Sequence, residues 1–213
     1  RACTGLGRAE KLVDEFFSPL LNLGEPMNQA LAQHIEESTE ARLEHIRRSL
    51  HSTSYMLARA ADTLLDSIMQ GQRVLLCARR ETLFSAQTAC ALLQRGMVQP
   101  RPALPVVLLA PLPDEQTHYP RHFSSLAGTG DVLWIFAQHD HEELSSLIDM
   151  GHELGLKLIV FATPLSPNLN QLFEENDVLI QLAAPNPASL LESGLSAVHA
   201  VCDALDHRLL GMV

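Results

Sequence analysis

A chain of 213 residues is long enough for one large domain with its own core. Its residues are 46% apolar and 19% charged, a balance that excludes intrinsic disorder. The formal net charge of -10 argues against a nucleic-acid surface as the main partner, because such surfaces are usually basic.

Residues 1–26 read as an extension, punctuated by Gly5, Gly7, Pro19, Gly24 and Pro26 around a short amphipathic run of Leu12, Val13, Phe16, Phe17, Leu20 and Leu21. Residues 27–213 read as one domain. It is expected to open with two helices. The first, over 28–50, carries Leu31, Ile35, Leu43, Ile46 and Leu50 on its apolar stripe and Glu36, Glu37, Glu40, Glu44, Arg47 and Arg48 on its polar face. The second runs from about Ser54 to Met69 and is stopped by Gly71.

From Arg73 the period changes. Short apolar runs at Val74–Cys77, Pro105–Ala110, Asp131–Ala137, Leu158–Ala162 and Val178–Leu182 predict five strands. Helical stretches fall at Ser85–Gln94, Glu142–Leu154 and about Ala188 to Leu210. Strands that are apolar throughout must be buried on both faces, and their alternation with helices predicts an α/β fold: a five-stranded parallel sheet flanked by helices, plus the two extra N-terminal helices. Ligands in such sheets sit at the carboxyl ends of the strands near the switch point, which draws attention to the loops after Cys77, Ala110, Ala137 and Ala162.

The four cysteines, Cys3, Cys77, Cys90 and Cys202, form no CxxC pair and show no zinc spacing. Cys77 and Cys90 read as reduced, buried thiols, which fits a cytoplasmic location. No run approaches the ~20 apolar residues of a membrane span. No basic region followed by an apolar run opens the chain, so no signal peptide is expected.

Several stretches, taken in order, resemble the sugar isomerase (SIS) domain family, in the branch of the phosphoheptose isomerases and the DnaA initiator-associating proteins (DiaA). They are Ile68–Cys77, Ser85-Ala86-Gln87 with Ala89–Leu93, Arg101–Pro105, Gly130–Leu133 and Cys202–Asp206. The resemblance runs from about Asn28 to Leu210. It implies the SIS fold, with two hydroxyl- and glycine-rich loops that hold a sugar phosphate and a Glu/His set in the last helix that supplies acid/base chemistry.

This chain departs from that pattern in four places. The first loop is Ala78-Arg79-Arg80-Glu81-Thr82-Leu83-Phe84, without glycine to let the backbone approach a phosphate; only Thr82 and Ser85 keep a hydroxyl. The second is Gln138-His139-Asp140-His141-Glu142, without Ser, Thr or Gly and with two acidic groups that would repel a dianion. The connection Pro111–Arg121 is short for a sugar pocket. Glu192 matches the family's glutamate, but Ser193 and Gly194 fall where the histidine should be, and His199 lies more than a turn beyond.

Two charged clusters remain. His139-Asp140-His141 contains ligand-type side chains, yet adjacent positions rarely converge on one ion, so a solvated loop with Asp140 capping the following helix is the preferred reading. Arg79-Arg80 reads either as a salt-bridged plug in the old sugar mouth, which we favour, or as a changed anion site. The terminal Leu209 and Leu210 are candidate partner contacts. The resemblance then implies a non-catalytic homo-oligomer, a tetramer, that binds a DnaA-type initiator and promotes its assembly at the origin, needing no cofactor or metal and touching neither nucleic acid nor membrane. The alternatives are a phosphoheptose isomerase acting on sedoheptulose 7-phosphate, or a sugar-phosphate-responsive regulator.

Overall fold

The computed structural model describes residues 25–78, 80–97, 99–109, 123, 125–137 and 142–211. The expected extension over 1–26 therefore lies outside the described residues except for its last two. Two compact units divide at Glu44 and His45. The described part of the first is wholly helical, with Leu31, Ile35 and Leu43 exposed.

Helix α1 is Glu25–Met69, a single run of 45 residues. The two helices expected over 28–50 and 54–69 are thus one, which corrects that reading. The link His51-Ser52-Thr53 looked like a break because hydroxyl residues compete with helix backbone. Here their hydroxyls bond back along the helix instead: Ser52 Oγ donates to Ser49 O at 2.9 Å, Thr53 Oγ1 to Ser49 O at 2.8 Å, and Ser54 Oγ to His51 O at 3.0 Å. With neither Gly nor Pro between Met27 and Gln70, nothing forces a stop until Gly71, whose φ of 79° ends the helix in the left-handed region.

The remaining elements alternate. They are β1 (Val74–Ala78), a 3₁₀ turn (Arg80–Thr82), α2 (Leu83–Arg95), β2 (Val106–Leu109), β3 (Val132–Phe136), α3 (Glu142–Glu153), β4 (Lys157–Ala162), a short α4 (Pro167–Asn170), β5 (Val178–Gln181) and α5 (Pro187–Leu209). All five strands are parallel, in the order β2-β1-β3-β4-β5. Val74 pairs with both Val106 and Val132, and Ile159 with Val178. The central β1 and β3 are buried at every residue, which is why they read as unbroken apolar runs.

Alternate residues of each strand feed two cores. On one face Leu76, Trp134, Phe136 and Phe161 pack with Leu64 of α1, Leu93 of α2 and Val198 of α5. On the other, Leu75, Ile135 and Val160 pack with Leu144 and Ile148 of α3. Trp134 stacks on Phe136 at 5.2 Å between centroids, and Phe161 stands edge-on to both. Among the described residues no helix is long and apolar enough to cross a membrane.

The order of the strands fixes the switch point. The chain leaves β1 toward β2 on one side and returns to β3 on the other, so the carboxyl ends of β1 and β3 border the crevice where this class of sheet takes its ligands.

Candidate functional site

The 3₁₀ turn after β1 delivers Thr82 to that crevice. Thr82 stands at the N-cap of α2 yet makes no side-chain cap bond. Its hydroxyl donates across the switch point to the carbonyl of Phe136, the last residue of β3, at 3.0 Å. A group in the position to meet an anion at a helix N-terminus is thereby tied to the sheet. Glu81, in the same turn, is exposed and adds negative charge where a phosphate would approach.

Ser85, in the first turn of α2, is buried and faces α5. A Cβ placed on Gly194 would lie 3.4 Å from Ser85 Oγ. The helix α5 is set by its own start: the Asn186 side chain accepts from Ser189 N at 2.9 Å and Pro187 occupies the first turn. This brings Leu190, Leu191 and Gly194 over the carboxyl ends of β3, β4 and β5.

Between these elements lies a cleft of about 320 Å³, counting space open to solvent. Its described lining is Thr82, Ser85, Phe136, Ala137, Phe161, Ala162, Leu182, Leu190, Leu191 and Gly194. Two hydroxyls are its polar side chains, and no ionisable group is among these residues. Glu192, half-buried on α5, is not part of the lining. Ser193 is fully buried, with an Oγ that has no hydrogen-bond partner among the described residues, and His199 is exposed.

Of the residues singled out from the sequence, Thr82 and Ser85 meet at the cleft. Arg79, Gln138, His139, Asp140 and His141 lie outside the described residues, as does Pro111–Arg121. Arg80 opens the 3₁₀ turn, and its side chain also lies outside the description. Among the described residues no group of three or more His, Cys, Asp or Glu could hold a metal ion. Cys77 and Cys202 are buried, and Cys90 is half-buried. Burial, then the Asp206 carboxylate, pushes the Cys202 thiol up to about 12, with Arg101 opposing. The terminal pair divides: Leu209 packs partly on the core, and Leu210 caps α5 with 37% of its surface exposed.

Sequence reasoning missed the polar anchor at the other end of α2. The Arg101 side chain, 4% exposed, donates through Nε to Asp206 Oδ1 at 2.6 Å, and through Nη1 and Nη2 to the carbonyls of Leu93 and Leu92 at 2.8 and 3.2 Å. The other Asp206 oxygen accepts from Met97 N at 2.6 Å. The available signal was an aspartate on the same face of the last helix as Cys202 and Leu205.

No family model matches the chain. It is similar to a phosphoheptose isomerase of Thiobacillus denitrificans, 22% identical over 198 residues that cover 88% of this chain and 98% of that protein. It is likewise similar to the DnaA initiator-associating protein DiaA of Shigella flexneri, 24% identical over 164 residues, 72% of this chain and 84% of that one. Among solved structures, a phosphoheptose isomerase from Francisella tularensis superposes with a TM-score of 0.72 at 21% identity, over 83% of this chain and 98% of that one. Five parallel strands, the crevice at their switch point and likeness along most of the sequence agree: the chain has the sugar isomerase domain fold and is similar over most of its length to the phosphoheptose isomerases and DiaA.

Proposed function

We propose that this protein is a non-catalytic scaffold of the DiaA kind, a homotetramer that gathers several molecules of a DnaA-type initiator and promotes their ordered assembly. The observation that carries the reading is the Thr82–Phe136 bond at the switch point, with a cleft beside it whose described lining holds no ionisable group. An aldose–ketose isomerisation needs an acid/base pair at the sugar and donors for its phosphate. The described lining holds no acid/base pair, and of its two hydroxyls that of Thr82 already donates to Phe136 O. Relatives named for association with the DnaA initiator support the partner class. The mechanism is multivalency: a symmetric oligomer raises the local concentration of whatever each subunit binds. Leu209 and Leu210 are the proposed contacts, Arg79, Arg80, Glu81, Thr82, Ser85, Gln138 and His139 the remnants of the phosphate loops, and Glu192 the remnant of the acid/base set.

The isomerase reading keeps one specific support, the likeness to phosphoheptose isomerases over nearly their whole length together with Glu192. One pair of experiments decides between them. Incubation with sedoheptulose 7-phosphate is expected to yield no aldose product, and a pull-down with DnaA is expected to retain it. Turnover at the rate of an active isomerase, or a wild-type chain that leaves DnaA in solution, overturns the scaffold reading.

A further inference from the structure

The amino ends of β4 and β5 border a second recess, at the opposite end of the sheet from Thr82. It measures about 920 Å³, counting space open to solvent. Four segments wall it. On α1, Arg59 and Asp66 are seven positions apart and so share one face of the helix. Lys157 opens β4, and Glu174 and Asp177 belong to the turn before β5. His152, in the last turn of α3, joins them.

Asp177 fixes one side of the recess. Its side chain, 5% exposed, meets His152 Nε2 through Oδ2 at 2.8 Å, and the same oxygen accepts from Glu174 N at 2.8 Å. The other oxygen, Oδ1, takes no hydrogen bond among the described residues. A buried carboxylate oxygen in that state calls for a donor. The charges around it are also uncommitted. Arg59, half-buried, gives one bond to the Glu175 carbonyl at 3.0 Å. Among the described residues Arg59, Lys157, Asp66 and Glu174 form no ion pair, with one another or with any other group.

Both signs therefore stand open around one recess, and this limits what fits it. A phosphate or a dicarboxylate would meet Asp66, Glu174 and Asp177 as like charges. A polyamine would meet Arg59 and Lys157 in the same way. The carboxylates are not gathered for a metal either, since among the described residues no three His, Cys, Asp or Glu could hold one. A solute with one ammonium and one carboxylate answers both sets.

We propose that this recess binds a small zwitterion, a free amino acid or a short peptide, with its carboxylate on Lys157 and Arg59 and its ammonium among Asp66, Glu174 and Asp177. The site asks nothing of the cleft at the switch point, and it stands or falls apart from the scaffold reading.

The test is isothermal titration of the full chain with glycine and with triglycine, each also acetylated at its amino end or amidated at its carboxyl end. At least one free form is expected to bind with a Kd below about 1 mM. Blocking either end should weaken it at least about tenfold, because each block removes one charged contact. Lys157→Met and Glu174→Gln should each weaken it by a similar factor with the melting temperature unchanged. Asp203→Asn, exposed on α5 outside the recess, should bind as the wild type does. Tighter binding of glycine marks a free amino acid as the occupant, and tighter binding of triglycine a short peptide. No binding of either free form at about 10 mM overturns the proposal. Binding that stays within about twofold after an end is blocked, or in Lys157→Met and Glu174→Gln, overturns it as well.

Discussion

Arg101 and Asp206 form a buried ion pair, 2.6 Å from Nε to Oδ1, that ties the last helix to the loop before β2. The guanidinium also donates to the carbonyls of Leu92 and Leu93 at the end of α2, which accept from the Gly96 and Leu104 N–H groups as well. Asp206→Ala strands a buried cation and the Met97 N–H together. It is expected to cost about 3–5 kcal/mol in urea denaturation. The double change Arg101→Met with Asp206→Leu removes both charges and should recover part of that loss. A single variant that melts like the wild type would show the pair to be ornamental.

Thr82→Val keeps the shape of the side chain and removes the hydroxyl that Phe136 O accepts. The expected loss is about 1 kcal/mol, the ordinary net contribution of such a bond. On the scaffold reading, DnaA retention is unchanged. A sugar-phosphate ligand bound through this hydroxyl would instead be released, so isothermal titration with sedoheptulose 7-phosphate on both proteins separates the two roles.

Two helical glycines should respond to alanine with opposite signs. At Gly194 the new Cβ makes ordinary contact with Ser85 Oγ at 3.4 Å, so Gly194→Ala is expected to stabilise by about 0.5–1 kcal/mol through helix propensity. At Gly151, on α3, a Cβ would lie 2.6 Å from Cδ2 of the fully buried Leu158, and Gly151→Ala should destabilise by about 1–3 kcal/mol. Paired thermal melts check both, and equal shifts would refute the packing argument.

The raised thiol of Cys202 makes a pH prediction. Its folded value, about 12, lies above the ordinary thiol value of 9.0, so between the two the folded state holds a proton that the unfolded state gives up. Stability from this group is full below pH 9 and falls as pH rises toward 12. The wild type should therefore lose stability faster than Cys202→Ala between pH 8 and pH 10. Parallel melting curves across that range would contradict the burial of the thiol.

The sheet was legible from the sequence because its central strands are apolar at every residue and glycines or prolines punctuate the helices between. The N-terminal helices were misread because Ser52, Thr53 and Ser54 have two uses for a hydroxyl, and only the structure shows which carbonyl each takes. Of the site, the sequence shows which residues stand in Ala78–Phe84 and in the last helix, and the structure brings Thr82, Ser85 and Gly194 to one cleft. What Thr82 does there was not legible, since its acceptor, Phe136, is 54 residues away and is a backbone atom that any side chain would carry. Arg101 and Asp206 went unpaired for the same reason: 105 positions separate them, and each alone reads as a solvated charge.

The bond between Thr82 and Phe136 also couples two parts of the crevice. One hydroxyl holds the start of α2 to the carboxyl end of β3, so a substitution that shifts either end is felt at the other. Change in the loops beside them is therefore constrained in pairs, and a shift at one end asks for a matching shift across the switch point.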